Sequence, residues 1–160
     1  MPTLEVVLKR IEVQHAIGIR EIIATPVHVG TLLNEAFAAL AANGIQPNNP
    51  PIALFHDEEF QPTNLDCEIA IPVAESVNAV LPLANGRELT PRDLPMILTA
   101  ACVIHAHGYD AFEETYALLG QWIADNGYRV AGPSREMYLT KTDHASGAIT
   151  EIQWPVEKAE

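Results

Sequence analysis

Glu136 lies in the run Gly132-Pro133-Ser134-Arg135-Glu136-Met137-Tyr138, two positions before a tyrosine. In a strand the side chains alternate with period two, so Glu136 and Tyr138 share one face. A carboxylate walled by aromatic rings has two chemical uses. Ionised, it attracts a delocalised organic cation, and the ring faces add ~0.5–2 kcal/mol of cation–π attraction. Partly desolvated, its pKa rises and it can act as general acid or base in a hydrolysis. The competing reading is an exposed glutamate on a strand edge.

A repeat weighs against that bland reading. Gly127 to Val156 reads N-G-Y-x-V-x-G-P-x-x-E-M-Y, a loop, then T-E-I-Q-W-P-V; Gly44 to Val73 reads N-G-I-x-P-x-N-P-x-x-A-L-F, a loop, then C-E-I-A-I-P-V. One step of 83 residues carries Gly44 to Gly127, Pro50 to Pro133, Phe55 to Tyr138, Glu68 to Glu151 and Pro72 to Pro155 without a gap. Such self-similarity marks an internal duplication. Glu136 stands where the first copy has Ala53, Tyr138 where it has Phe55, and Trp154 where it has Ile71. The scaffold does not require a carboxylate at that position, which favours a function for Glu136. Glu68 and Glu151 are acidic in both copies and read as sharing a structural duty, such as bonding turn amides.

Tyr109, Tyr116, Trp122 and Trp154 are further candidates to line a ligand groove, with core packing as the alternative for aromatic residues on a helical stripe. His105 and His107 fall on one strand face, half a metal site at most, with no third ligand assignable from spacing. They read as edging a pocket, and no metal or cofactor is expected. His56 follows Phe55 into a loop and reads as solvated. Ser76, Ser134 and Ser146 lack a G-x-S-x-G elbow, and no glycine-rich phosphate loop occurs. Cys67 and Cys102, without paired spacing, read as two buried free thiols.

These groups need elements to hold them. Leu4–Gln14 alternates as a strand, and Ala16–Ala24 is a β-branched second one. A helix follows with its start open between Thr25-Pro26 and Gly30-Thr31, a stripe of Leu32, Leu33, Ala36, Phe37 and Leu40, and a stop at Asn43-Gly44. Ile52–His56 and Cys67–Val73 are strands. In the second half, Val80–Leu83 is a loop or short strand and Arg87–Leu94 a strand interrupted by Pro91. Ile97–Ala106 reads as a buried strand, with a helix as the alternative. Asp110 and Glu113 have capping-box spacing before a helix whose stripe is Phe112, Tyr116, Leu119 and Ile123 and which Asn126-Gly127 closes. Arg135–Thr140 and Ile149–Val156 complete the order. Strands grouped around one helix per copy, in the order β-β-α-β-β twice, predict an α+β fold with antiparallel sheets, the two copies paired about a pseudo-twofold axis with a ligand groove at their junction. The two repeats, about 1–75 and 76–160, form one domain.

Composition narrows the function classes. Of 160 residues, 21 are acidic and 9 basic, a net charge of −12, with no cluster of Lys and Arg for the counterion exchange that duplex binding needs. No apolar run approaches the ~20 residues of a membrane span, and Met1–Arg10 does not read as a signal peptide, so a cytoplasmic protein is expected.

Leu94-Pro95, A-A-C-V-I-H-A-H-G-Y-D, the helix closing on N-G, G-P-x-x-E-M-Y-L and T-E-I-Q-W-P-V together resemble the GyrI-like small-molecule-binding domain. This is the fold of the effector-binding domains of AraC-type and BmrR-type multidrug regulators. The likeness spans the chain and is strongest over residues 94–156. It implies a tandem pseudo-twofold duplication of a β-α-β-β unit with a central ligand groove between the two halves, in which an acidic residue amid aromatics receives organic cations. By motif position that residue is Glu136, with Tyr138 beside it; Tyr116, Trp154, Tyr109, Trp122, His105, His107 and Phe55 are the further candidates for ligand binding. The regulators carry a DNA-binding segment ahead of this domain and this chain does not, so direct nucleic-acid binding is not expected. The resemblance also implies a runner-up, hydrolysis of cyclopropane-containing toxins through Glu136 and the tyrosines, and a third possibility, a protein partner such as gyrase.

Overall fold

Each repeat folds in the expected order of two strands, a helix and two strands, and the second adds a three-residue strand after its helix. In the first, β1 is Val7–Ile11, β2 Gln14–Ile23, α1 His28–Ala42, β3 Ile52–Phe55 and β4 Leu65–Pro72. After a two-residue β5 (Leu81–Pro82), the second runs β6 Glu88–Leu94, β7 Ile97–His105, α2 Phe112–Asp125, β8 Tyr128–Val130, β9 Ser134–Tyr138 and β10 Thr150–Lys158. The computed structural model describes residues 5–57, 63–106, 112–140 and 149–160. Within these the expected α+β class holds, with two helices and antiparallel pairing throughout.

The chain divides into two compact units that do not follow the repeat boundary at 75/76. A continuous unit spans Val13–Pro95, and a split unit joins Met1–Glu12 to Met96–Glu160. In the continuous unit the strand order is β5-β6-β2-β4-β3; in the split unit it is β1-β7-β10-β9, with β8 on the far end of β10. The repeats have therefore exchanged outer strands: β1 pairs with β7 and β6 with β2. The physical reason lies in the connections. Only Glu12 and Val13 link β1 to β2, and only Pro95 and Met96 link β6 to β7. A two-residue hairpin needs positive-φ residues such as Asn-Gly, and neither pair supplies one. The repeat step also slips once. Lys9 opposes Ala100 while its counterpart Arg92 opposes Ala16, so β2 and β7 correspond at 84 residues and the other strands at 83.

Local chemistry sets the ends of the elements. Gly44, at φ 68°, closes α1 with Ile45 N–H donating to Leu40 O (3.0 Å) and Gly44 N–H to Ala41 O (3.2 Å), a Schellman cap. Gly127, at φ 81°, closes α2, and each helix ends on an asparagine whose side-chain amide returns to a carbonyl four residues back, Asn43 to Ala39 and Asn126 to Trp122. The start of α1 departs from both readings. The helix begins at His28 after a turn accepted by the Thr25 and Pro26 carbonyls, and Gly30 lies inside it. The Thr25 hydroxyl contacts His28 Nδ1 at 3.2 Å instead of capping a backbone amide. Asp110 of the capping box lies outside the described residues. Pro91 is tolerated in β6 because β5 pairs only with Leu89 and Glu88, so that among the described residues no outer strand lies at Pro91 whose ladder a missing N–H would break.

In the split unit α2 lays Leu119 and Ile123 onto Ala101, Val103, Ile152 and Val156, with Phe112, Tyr116, Trp122, Tyr128 and Trp154 packed around them. Burying each such aliphatic side chain stabilises by about 1.5–3 kcal/mol. α1 buries Val29, Leu32, Ala36 and Leu40, and leaves Leu33 and Phe37 half-buried.

Candidate functional site

β9 sets the geometry. Glu136 opposes Ile152 of β10, a residue of the core beneath α2, so its side chain is carried on the face that α2 covers. Tyr116, three residues before Leu119 on α2, comes down over the same spot. Its hydroxyl donates to Glu136 Oε2 at 2.8 Å, and the Tyr138 hydroxyl donates to Oε1 at 2.8 Å. Each carboxylate oxygen thus holds one phenol. The Tyr116 hydroxyl also lies 3.3 Å from Ser134 Oγ, and its ring meets Trp154 edge-on, with centroids 5.4 Å apart at 84°. The expected grouping of Glu136, Tyr138, Tyr116 and Trp154 is thus present within one unit. Ser134 joins it unforeseen, although its repeat counterpart, Pro51, offered the same signal of asymmetry.

Glu136 as a residue is 7% exposed, and among the described residues no Lys or Arg pairs with its carboxylate. Burial raises its pKa, because an ion in a low-dielectric setting lacks hydration; the two phenol hydrogen bonds pull the other way without cancelling this. Tyr116 is pushed well above the usual phenol range by burial and then by the neighbouring negative charge, so it remains a neutral donor.

The other candidates separate. His105 is 1% exposed, its Nδ1 2.8 Å from Thr115 Oγ1 and its ring stacked on Phe112 at 4.2 Å. It is a buried, hydrogen-bonded histidine under the first turns of α2. Trp122 stacks on Tyr128 at 6.4 Å and packs the core near the end of α2. Phe55 belongs to the continuous unit, half-buried opposite Cys67. His107 and Tyr109 lie outside the described residues. His56 is not solvated: it sits 2.9 Å from Glu68, and its side chain is 13% exposed. Glu68 and Glu151 do share a duty, but it is ion pairing. Arg92 Nε binds Glu68 at 2.5 Å and Lys9 Nζ binds Glu151 at 2.7 Å, the same pair of positions in both repeats. Both cysteines are buried, and burial pushes the Cys102 thiol up to about 12.

Two clefts open in the continuous unit. One, of about 590 Å3, is lined by Gly18, Arg20, His56, Glu68, Thr90 and Arg92 among others; the second, of about 320 Å3, lies beside Glu21, Glu35 and Arg87. Neither includes the Glu136 cluster. Among the described residues no three His, Cys, Asp or Glu side chains converge as metal ligands, and no helix is long and apolar enough to cross a membrane.

The family model of the GyrI-like small-molecule-binding domain matches residues 4–157. The EcmrR C-terminal domain superposes with a TM-score of 0.83 at 26% identity, covering 98% of this chain and 99% of that one. EcmrR in the EcmrR–DNA complex of EcmrR-RPo gives 0.85 at 27% identity; there the chain covers 98% of its own length but spans only 58% of EcmrR. SAV2435, solved bound to tetraphenylphosphonium, shares the fold at a TM-score of 0.63 and 15% identity, over 96% of this chain and 94% of that one. No curated protein sequence matches the chain.

Proposed function

This chain belongs to the GyrI-like small-molecule-binding domains, and from that premise we propose that it binds bulky, aromatic organic cations, with Glu136 as their charge partner. The observation that carries the reading is the buried carboxylate held by two phenols, with no cation paired to it among the described residues. Both its oxygens already accept a hydrogen bond, which favours a particular kind of guest. A delocalised cation without N–H groups needs the charge and the ring faces but not the lone pairs, so it leaves the phenol bonds intact. An ammonium or guanidinium competes with Tyr116 and Tyr138 for the same oxygens. Tetraphenylphosphonium, the ligand named for SAV2435, has the favoured chemistry. Sequestration or sensing of such molecules is the activity proposed.

The test is a titration of tetraphenylphosphonium and rhodamine 6G against the wild type and Glu136→Gln. Loss of one buried charge partner predicts at least a ten-fold weaker affinity, about 1.4 kcal/mol. Equal affinity removes Glu136 from the role.

One observation favours a second reading. A carboxyl group with a raised pKa, faced by two phenols, is suited to general acid–base hydrolysis of a strained electrophile. Absence of product from a cyclopropane-containing electrophile with protein in excess eliminates it.

A further inference from the structure

The larger cleft of the continuous unit is lined by none of the Glu136 cluster and has its own chemistry. We propose that it is a second small-molecule site, taking a ligand that bears an organic oxyanion. At about 590 Å3 it falls within the roughly 300–1,000 Å3 of ligand cavities. Its floor is Gly18, which opposes Ala70 on one side and Thr90 on the other. A Cβ on Gly18 would stand 1.8 Å from the Ile69 carbonyl oxygen, so the close approach of β4 admits no side chain at this lining position.

The walls present donors held in place from behind. Asp66 grips Arg20 side-on through Nε and Nη2, at 2.8 and 2.7 Å. Glu68 grips Arg92 in the same way, at 2.5 and 2.8 Å, and also takes His56 Nε2 at 2.9 Å. Side-on binding fixes each guanidinium plane and leaves the Nη1 corner of both groups without a partner among the described residues. A fixed planar fork with a free edge is the geometry that recognises carboxylate or phosphate. Glu68 is therefore a positioning residue, its charge already engaged by two donors.

The repeat shows that this equipment is not needed by the scaffold. At the corresponding positions of the split unit, Ile104 stands for Arg20, Val7 for Thr90 and Leu139 for His56, and these are 54%, 51% and 41% exposed. Cys102 stands for Gly18, and only the Lys9–Glu151 pair is kept. One unit has an apolar surface where the other has a donor-lined cleft. Glu88 on the rim carries a negative charge, so binding depends on direct hydrogen bonds to the oxyanion and not on long-range attraction.

Fluorescein and rhodamine 6G share a xanthene core and differ in charge, which allows the two sites of the full chain to be read separately by fluorescence polarisation at pH 7.5. Arg20→Gln removes one exposed donor; Arg92→Lys keeps the charge opposite Glu68 and removes the fork. Saturable binding of fluorescein by the wild type is expected, weakened about ten-fold by each substitution, the scale of a charged hydrogen bond, and unchanged by Glu136→Gln. Displacement by benzoate identifies carboxylate recognition and displacement by phenyl phosphate identifies phosphate recognition; displacement by neither overturns the proposal. So does an absence of saturable binding, equal affinity in both arginine variants, or loss of fluorescein binding in Glu136→Gln. Failure of rhodamine to respond to Glu136→Gln bears on the cation site alone.

Discussion

At Glu136 stability and binding pull in opposite directions. Ionised Glu136, a residue 7% exposed and without a cation partner among the described residues, destabilises the empty protein, and its raised pKa records that cost. A folded-state pKa above the unfolded value means that the favourable contribution is complete below the unfolded value of 4.5 and is lost as pH rises through the folded one. Glu136→Gln, which keeps the shape and removes the charge, is therefore expected to raise the Tm at pH 7, by about 1 kcal/mol or more in stability. That advantage should vanish below pH 4.5, and scanning calorimetry at the two pH values checks it. Cation affinity has the reverse dependence, falling as acidification protonates the carboxylate. Tyr116→Phe removes one hydrogen bond that favours the ionised form, so the midpoint of that loss should move to higher pH in a titration followed by dye binding. The residue types of this cluster were legible, since period two put Glu136 with Tyr138 and the repeat singled both out. The fates of His56 and His105 were not, because each is decided by a partner that only pairing or helix packing brings near: Glu68 across the strands and Thr115 on α2.

Helix ends obey local rules, and there the chain can be tested one element at a time. Gly127 closes α2 at φ 81°, where an L side chain is strained. Gly127→Ala should destabilise by about 1–2 kcal/mol. Gly30 makes the contrast: it sits inside α1 at ordinary helical φ, and an added Cβ would meet nothing within 4 Å. Gly30→Ala should therefore stabilise, by up to about 1 kcal/mol, and urea midpoints of the two variants should move in opposite directions. The same distinction explains which parts of the fold could be read in advance. Asn43-Gly44 and Asn126-Gly127 announce their caps because left-handed backbone is a property of single residues. The start of α1 has no such residue and rests on a turn of backbone carbonyls. β8, three residues long, leaves no periodic trace, and the one-residue slip between β2 and β7 is a matter of pairing that a gapless repeat step conceals.

The exchange of β1 and β6 makes the repeats of the sequence different objects from the units of the fold. A chain divided at 75/76 would strip β6 from β2 and β1 from β7, so the two fragments are expected to show little native circular dichroism when separate and to recover it on mixing. The units also differ in how they carry charge. In the continuous unit, Arg92 and His56 hold the Glu68 carboxyl below its usual range against the opposing pull of burial, while Arg20 and Arg87 do the same for Asp66 and Glu35. A lowered folded-state pKa gives stability that is complete above the unfolded value and lost as pH falls through the folded one, so all three weaken this unit below about pH 4. The split unit holds the opposite case, Glu136, whose contribution improves as it is protonated. Acid should therefore loosen residues 13–95 first. Trp122 and Trp154, the only tryptophans, both lie in the split unit, so their fluorescence reports on the other side of the contrast. On stepwise acidification from pH 5 to pH 2, amide exchange in β2, β4 and β6 is expected to accelerate before the tryptophan emission shifts; simultaneous change, or emission shifting first, would show that these paired carboxylates do not set the order of acid unfolding.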